Sequence, residues 1–324
     1  MLKLLINNTK ILRFSYIKIV VILNLFIFLV SCKTENTKNT KITIVTTTGM
    51  IGDLVTNLVK DSAKVDFLMQ SGIDPHLYKA TQSDLHKLYK ADLIFYSGLH
   101  LEGKMTEVLE KYSRIKKVYS LGDNVSKNNL IGVSESRSVG ASTEIHYDPH
   151  IWFDLDIWLE CAELASNKII LEYPQLKDYI TKNKISYIKQ LNDLKENSKN
   201  TISKIPKQQR ILITSHDAFS YFGRKFDIQV RGLQGISTVA EFGIKDVNNL
   251  VDFVIKNNIK TIFSETSVSS KSMEAILFAC KKQNYNIKIY DNLYSDSMGN
   301  TGTLEGTYIG MYQKNIQTIV KGLQ

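Results

Sequence analysis

Proline and cysteine are scarce in this chain of 324 residues, which contains four prolines and three cysteines. So few cysteines exclude a small scaffold held together by several disulfides. Cys161 and Cys280 both lie within apolar helical patterns. We therefore expect them to be core residues, with a disulfide between them as the alternative.

Two kinds of charge pattern are also missing. No basic run is interleaved with aromatic residues, which excludes a nucleic-acid-binding groove. No acidic residue occurs in residues 1–31, which carry four basic ones. Without these four charges the formal net charge of +9 becomes +5 for residues 32–324, which is modest for a chain of this length.

The N-terminal segment has the layout of a secretory signal peptide. Its basic residues precede or border an apolar run at residues 19–30, which only Asn24 interrupts. This run is too short to span a bilayer, so we interpret residues 1–31 as a signal peptide that is removed. A buried N-terminal helix is the alternative.

The sequence Leu29-Val-Ser-Cys32 resembles a bacterial lipobox, in which a small residue allows cleavage and the following thiol takes the lipid. Residues 33–41 consist of Lys, Thr, Asn and Glu, with nothing apolar to bury. Residues 32–41 are therefore expected to form a tether. We expect the mature chain to be exported and anchored to a membrane through lipidated Cys32, facing the periplasm or the cell exterior.

The tripeptide Asp-Pro-His occurs twice, at Asp74-Pro-His76 and Asp148-Pro-His150. Proline fixes its own φ and biases the preceding residue toward extended structure, so each His is held on a defined turn. Asp74 and Asp148 could each accept a hydrogen bond from the ring nitrogen of a His that binds metal through its other nitrogen. The alternative is that each Asp-Pro pair only starts a turn.

Two more polar residues follow apolar runs of the kind that form strands. His216 ends the run that begins at Ile211, and Asp296 follows the run that begins at Ile287. Imidazoles and a carboxylate together suit a divalent transition metal. The candidates are too far apart in the sequence for a zinc finger, so a large fold must bring them together. We expect one divalent metal per chain, bound by His76, His150, His216 and Asp296.

A long polar segment without proline divides the chain. Pro174 and Pro206 bracket it, and apolar residues recur at helical spacing between them among Lys, Asn, Asp and Glu. A helix of this length would run about 45 Å. We interpret residues 174–206 as a rigid helix that joins two lobes and is too polar to be buried. A surface helix of a single domain is the alternative.

Apolar runs alternate with helical patterns on both sides of this segment. Strands are predicted at 41–48, 63–68, 91–97, 117–121, 210–214, 228–230, 261–264 and 286–290, and helices from about residues 51, 83, 103, 218, 245, 271 and 303. Such alternation predicts an α/β fold with two similar lobes, 42–173 and 207–324, each a parallel sheet flanked by helices. Ligands bind beyond the carboxyl ends of such strands, so the candidates would meet in the cleft between the lobes.

Seven motifs along the chain carry a resemblance to one known family. They are Asp74-Pro-His-Leu-Tyr78, Leu99-His-Leu-Glu-Gly-Lys-Met105, Asp148-Pro-His-Ile-Trp-Phe-Asp154, Ser215-His-Asp-Ala-Phe219, Gly235-Ile-Ser-Thr238, Phe263-Ser-Glu-Thr-Ser267 and Tyr294-Ser-Asp-Ser-Met-Gly299. Together they resemble the zinc/manganese substrate-binding lipoproteins of bacterial metal ABC transporters. The match covers nearly the whole mature chain, in order. It implies a monomer that binds a single metal between two lobes and delivers it to a permease and its ATPase. The family's ligands fall on His76, His150, His216 and Asp296.

The resemblance leaves the metal open between Zn²⁺ and Mn²⁺. Some family members have Glu at the third ligand position, where this chain has His216. Zinc-dedicated members often carry a long loop rich in His and acidic residues before the second ligand, whereas residues 122–147 contain only His146. We expect Glu241 and Glu265, which lie among family-like residues, to support the ligands or to contact the permease. A structural role between the lobes is the alternative.

A zinc-dependent hydrolase is a competing function, because a metal with a labile carboxylate could activate a water molecule. However, no His-Glu-x-x-His pattern or evident general base accompanies the ligands. A saturated shell of three His and one Asp suits capture better than turnover. A surface adhesin is a third possibility that a lipid anchor would allow, but no adhesive surface is identifiable. We therefore expect a metal carrier and not an enzyme.

Replacement of Cys32 by alanine tests the lipid anchor. The Cys32→Ala chain should be exported but soluble, because no thiol remains to carry the lipid. Its metal binding should equal that of the wild type, since the tether lies outside both lobes. Membrane fractionation followed by metal analysis measures both. A variant that stays tightly membrane-bound would show that residues 19–30 are retained as the anchor.

Overall fold

A computed structural model describes residues 41–133 and 146–324. The predicted signal peptide, Cys32 and all of the tether except Lys41 lie outside the described residues. Contacts join residues 42–324 into one compact unit. No helix in the described part of the chain is both long and apolar enough to cross a membrane.

The first half contains a parallel sheet with the strand order β2-β1-β3-β4. Its strands are β1 (Ile42–Thr46), β2 (Ala63–Phe67), β3 (Leu93–Tyr96) and β4 (Lys117–Ser120). Ile44 and Val45 are neighbours in β1, both fully buried, and belong to different hydrophobic clusters. Successive side chains of a strand point to opposite faces. Both faces of this sheet are therefore covered, as predicted from its apolar runs.

Three helices of the first half begin close to the predicted positions, at α1 (Gly49–Val59), α2 (Gln82–Lys90) and α3 (Thr106–Ser113). Helix α2 shows why its start could be predicted. The Thr81 hydroxyl accepts the backbone N–H of Asp84, and the Asp84 carboxylate accepts the backbone N–H of Thr81. This reciprocal cap is encoded by the spacing of the two side chains.

Helices α4 (Leu155–Glu172) and α5 (Lys177–Ile202) follow a short antiparallel pair, β5 (Gly132–Val133) and β6 (His146–Tyr147). The Asp154 carboxylate caps α4 by accepting the backbone N–H of Asp156. Helix α5 lies within the predicted segment 174–206 and is about 39 Å long.

The second half contains two parallel strand pairs, with β7 in contact with β9. The pairs are β7 (Ile211–His216) with β8 (Gln229–Gln234) and β9 (Thr261–Glu265) with β10 (Lys288–Leu293), and the helices are α6 (Ser220–Phe226), α7 (Ile244–Lys256), α8 (Lys271–Lys282) and α9 (Tyr308–Leu323). The α/β fold and the alternation of strands and helices are thus confirmed.

Helix α9 starts later than the sequence predicted. Residues 299–307 form turns instead, in which the Thr303 hydroxyl accepts the backbone N–H of Gly306 at 3.1 Å. The Thr307 hydroxyl then caps the helix by accepting the N–H of Gly310 at 3.1 Å. Threonine hydroxyls compete with helical hydrogen bonds in this way, and the first turn of the predicted helix is lost.

The prediction that α5 is too polar to be buried is wrong for one side of the helix. This side packs against α1 and α4 in the first half and against α9 in the second. Its buried residues recur at helical spacing and are Ile180, Tyr187, Leu191, Leu194, Ser198 and Ile202. An apolar stripe is sufficient to bury a helix whose average composition is polar.

The largest hydrophobic cluster contains residues from both halves of the chain. Phe153 and Phe219 have ring centroids 4.4 Å apart, and Trp158 stacks on Tyr308 at 5.0 Å. Cys161 is a buried free thiol in this cluster. Cys280 is likewise free and buried, in the second-half core, so both cysteines are core residues as expected. The lobe boundaries at residues 173 and 207 stay predictions.

Candidate metal centre

The four predicted ligands lie together although they are far apart in sequence. His76, His150, His216 and Asp296 each offer one ligand atom within 4.8 Å of the others, and all four residues are buried. His216 ends β7, and Asp296 follows β10 closely. His76 comes from the loop after β2, and His150 from the turn before α4. The site thus lies beyond the carboxyl ends of parallel strands, as such sites usually do.

The distances within the cluster suit a first-row divalent metal. The Asp296 carboxylate places Oδ1 3.4 Å from His150 Nε2, and Oδ2 3.2 Å from His216 Nε2 and 3.7 Å from His76 Nε2. The Nε2 atoms of His76 and His150 are 3.3 Å apart. A tetrahedron with bonds of about 2.1 Å from its centre has edges of about 3.4 Å. The four distances are close to this edge length, so the cluster has about the dimensions of a Zn²⁺ site.

Two carboxylates fix the tautomers of two of the imidazoles. Asp148 Oδ1 lies 2.7 Å from His150 Nδ1, and Glu265 Oε2 lies 2.5 Å from His216 Nδ1. When such a ring is neutral, the carboxylate accepts the proton on Nδ1, which leaves Nε2 as the nitrogen available to a metal. Asp148 and Glu265 thus contact two of the candidate ligands, and their support of a bound metal stays a prediction.

Three buried polar atoms of the cluster have no hydrogen bond. They are His216 Nε2 and both carboxylate oxygens of Asp296. Although His216 Nε2 and Asp296 Oδ2 are only 3.2 Å apart, their geometry is not that of a hydrogen bond. Buried polar atoms are costly when unpaired. A cation between them would satisfy all three atoms.

Asp74 supports His76 differently from what the sequence suggested. Its Oδ1 accepts the backbone N–H of His76 at 2.9 Å, not a ring N–H. Its Oδ2 accepts the hydroxyl of Thr238 at 2.6 Å. Nothing in the sequence indicated Thr238 as a partner of Asp74, although the residue ends one of the family-like motifs. Glu241 is exposed and does not belong to the cluster of four candidate ligands, so its role at the permease stays a prediction.

Aromatic residues from the second half hold the turn that carries His150. The Tyr221 hydroxyl donates to the carbonyl of Asp148 at 2.8 Å, and the Tyr308 hydroxyl donates to the carbonyl of Trp152 at 2.6 Å. The Trp152 indole N–H in turn donates to the carbonyl of Ser295, next to Asp296, at 3.0 Å. Hydrogen bonds within the protein therefore connect the turn of His150 in the first half with the segment of Asp296 in the second half.

The ligand side chains differ in their affinity for protons. Burial is the largest influence on His76 and lowers its pKa to about 4. Burial also acts against the proton of His150, but Asp148 and Asp296 outweigh it and raise the pKa to about 9. Glu265 and Asp296 likewise outweigh burial at His216, and the pKa of this residue is well above its usual range. Without metal, the imidazoles of His150 and His216 are therefore protonated on both nitrogens and positively charged at neutral pH.

Asp296 remains ionised despite complete burial. Burial alone would raise the pKa of this carboxyl, but the charges of His216 and His150 and their contacts with it outweigh burial. The pKa of Asp296 is therefore well below its usual range. A buried carboxylate that stays charged attracts a cation.

A buried set of three imidazoles and one carboxylate on an α/β fold defines the class as a metal-binding protein. Residues 44–322 match the family described as "Zinc-uptake complex component A periplasmic", and the chain belongs to this family. Its members are substrate-binding components of ABC transporters that capture a divalent metal, zinc or manganese, for uptake. The chain is thus a carrier and not an enzyme, and neither the hydrolase nor the adhesin is favoured.

Individual relatives resemble the chain along nearly their whole length. The manganese-binding lipoprotein MntA of Bacillus subtilis is 40% identical over 299 residues, which cover 91% of this chain and 95% of the relative. The periplasmic zinc-binding protein TroA from Treponema pallidum has a structure that superposes with a TM-score of 0.83 at 36% identity, over 87% of this chain and 99% of that one. Fe(III)-bound YtgA from Chlamydia trachomatis superposes with a TM-score of 0.77 at 26% identity, over 87% and 98%.

The raised pKa values predict that metal binding depends on pH. Metal must displace the protons of His150 and His216, so the apparent affinity for Zn²⁺ should fall as the pH drops below about 9. Each displaced proton should weaken binding about tenfold per pH unit. His76 has a pKa of about 4 and is already neutral near pH 7, so metal displaces no proton from it.

Titration calorimetry in buffers of different ionisation enthalpy counts these protons. We expect close to two released per Zn²⁺ at pH 7, and the same number for His86→Gln, which alters an exposed His. Binding that releases no proton, with an affinity independent of pH between 6 and 8, would contradict the proton assignment.

Proposed function

We propose that the chain captures one Zn²⁺ or Mn²⁺ ion outside the cytoplasmic membrane and delivers it to the permease and ATPase of an ABC transporter. The ion would be held by Nε2 of His76, His150 and His216 and by the carboxylate of Asp296. Support comes from one observation above all: the four buried side chains place their ligand atoms within 4.8 Å of one another, and His216 Nε2 and both Asp296 oxygens have no hydrogen bond.

The metal is cargo, and the site must also let it go. Both oxygens of Asp296 face the imidazoles, so this carboxylate can bind through one oxygen or two. Three imidazoles and a bidentate carboxylate would give five-coordination, which Mn²⁺ accepts as well as Zn²⁺. The donor set thus fits both metals that occur in the names of the relatives.

Zinc is proposed as the tighter-bound metal. The general order of divalent affinities places Zn²⁺ above Mn²⁺ for a given set of nitrogen and oxygen ligands. The ion that is transported in the cell is a separate matter, because metal availability also decides which ion is loaded. The transported ion is proposed to be zinc or manganese, and rescue of a deletion strain by one metal would assign it.

The proposed location is supported by the sequence and by the names of the relatives. Several relatives are lipoproteins by name. A lipid on Cys32 would hold the carrier at the membrane, close to its permease. A single chain supplies all four proposed ligands, so the working form is proposed to be a monomer with one metal.

Loss of one ligand should abolish tight binding without unfolding the chain. His216→Ala removes an imidazole and opens the site, so affinity for Zn²⁺ should fall by at least about a hundredfold, more than the usual loss of a supporting residue. His86→Ala, at an exposed position, is the matched control and should bind as the wild type does. Elemental analysis after purification measures bound metal, and circular dichroism checks the fold. Wild-type metal content in His216→Ala would refute the ligand assignment.

Competition between the two metals tests the proposed preference. Wild-type protein titrated with Zn²⁺ in the presence of excess Mn²⁺ should exchange Mn²⁺ for Zn²⁺, because imidazole ligands favour zinc. Competition calorimetry at one fixed pH gives the ratio of the two affinities. Tighter binding of Mn²⁺ than of Zn²⁺ would contradict the preference and leave the site itself intact.

A further inference from the structure

His76 is oriented differently from the other two histidines of the cluster. The ring Nδ1 atoms of His150 and His216 are each bonded to a carboxylate. The Nδ1 of His76 has no such bond to any residue that the structure describes, and the recorded hydrogen bonds of His76 are made by its backbone N–H and by Nε2. The direction of this ring therefore depends on how its main chain is held.

The main chain around His76 is held from the second half of the molecule. At the start of the loop, the Ser71 hydroxyl donates to the carbonyl of Met298 at 2.9 Å, and the backbone N–H of Gly72 donates to the hydroxyl of Ser297 at 3.1 Å. These bonds connect the loop with the neighbours of Asp296. Neither bond reaches the residues next to His76, so another contact must hold the main chain there.

That other contact runs through Asp74 to Thr238. The Asp74 carboxylate accepts the backbone N–H of His76 with one oxygen and the Thr238 hydroxyl with the other, at 2.9 and 2.6 Å. Both bonds have a charged acceptor, and such bonds are shorter and stronger than neutral ones. Thr238 is thus connected to a proposed metal ligand by two consecutive hydrogen bonds.

Thr238 belongs to an otherwise accessible segment between β8 and α7. Within residues 235–243, all of which the structure describes, it is the one buried residue. Val239 next to it and Ile244 at the start of α7 are exposed, with 54% and 81% of their surface accessible. The buried hydroxyl is therefore a point at which this segment is attached to the loop of His76.

We propose that Thr238 is a positioning residue that holds His76 in place through Asp74 and thereby slows release of the metal. The proposal rests on the metal site proposed above. Without the hydroxyl, Asp74 loses the partner that fixes its second oxygen and can shift, and the backbone of His76 shifts with it. His76 then leaves the metal more easily, because its ring has no carboxylate of its own to keep it oriented.

The test compares three substitutions in full-length protein. Thr238→Val keeps the shape but lacks the hydroxyl, Thr238→Ser keeps the hydroxyl, and Ser237→Ala removes a neighbouring hydroxyl that accepts only from the backbone of Val239. Zn²⁺-loaded protein is mixed with excess chelator in a stopped-flow instrument. Thr238→Val should release Zn²⁺ at least about tenfold faster, since hydrogen bonds to charged groups contribute enough for such a change. Thr238→Ser and Ser237→Ala should release it at close to the wild-type rate.

Two further measurements separate positioning from a general structural role. Thermal unfolding of the metal-free proteins should show one cooperative transition for all variants, with the midpoint of Thr238→Val lowered by no more than the few degrees that loss of one hydrogen bond costs. The effects of Thr238→Val and Asp74→Asn on the logarithm of the release rate should not add, because both act on one chain of hydrogen bonds.

Four results would overturn the proposal. They are a wild-type release rate in Thr238→Val, an equally fast release in Thr238→Ser, loss of the cooperative unfolding transition in metal-free Thr238→Val, and additive effects of Thr238→Val and Asp74→Asn. If His216→Ala retained its metal, the proposed site itself would fail. If only the Thr238 results failed, the proposed metal site would stand, but Thr238 would not slow release of the metal.

Discussion

The burial of an ionised carboxylate among three imidazoles is the constraint on which the rest of the structure depends. Asp296 is inaccessible to solvent and stays charged only because positive charge lies beside it. Without metal, protons on His150 and His216 supply that charge. A bound divalent ion would replace them. Capture is therefore an exchange of protons for metal at nearly constant buried charge, which avoids the cost of an unpaired ion.

The fold brings to this site groups that no short segment could supply. Each ligand lies on a different loop or strand end, and Asp148 and Glu265 orient two of the rings from separate elements. The long helix α5 packs against α1, α4 and α9, so it fixes the two halves in relation to each other. Metal that binds only the folded chain stabilises it, because an unfolded chain has no such site.

Local sequence patterns predicted the strands, and they singled out the four candidate ligands that the fold brings together, for physical reasons. Apolar runs such as that of β7 end in polar residues at the strand's carboxyl end, which marked His216. Proline before His76 and His150 marked turns in the same way. The helix α5 followed from the apolar spacing between two prolines. Its burial did not, because burial depends on the partners that an apolar stripe finds.

Contacts between distant segments left no signal of their own in the sequence. The bond from Thr238 to Asp74 joins residues 164 positions apart, and the bond from Trp152 to Ser295 joins residues 143 apart. Neither has a spacing or periodicity that could indicate it. The choice of Zn²⁺ or Mn²⁺ cannot be predicted from the ligand pattern either, since three imidazoles and a carboxylate accept both.

A crystal structure of Zn²⁺-loaded protein with anomalous data at the zinc edge tests the central claim most directly. The account predicts one anomalous peak per chain, bound by three Nε2 atoms and the carboxylate of Asp296 at about 2.0 to 2.2 Å. A peak elsewhere, or one that touches fewer than three of these side chains, would contradict it.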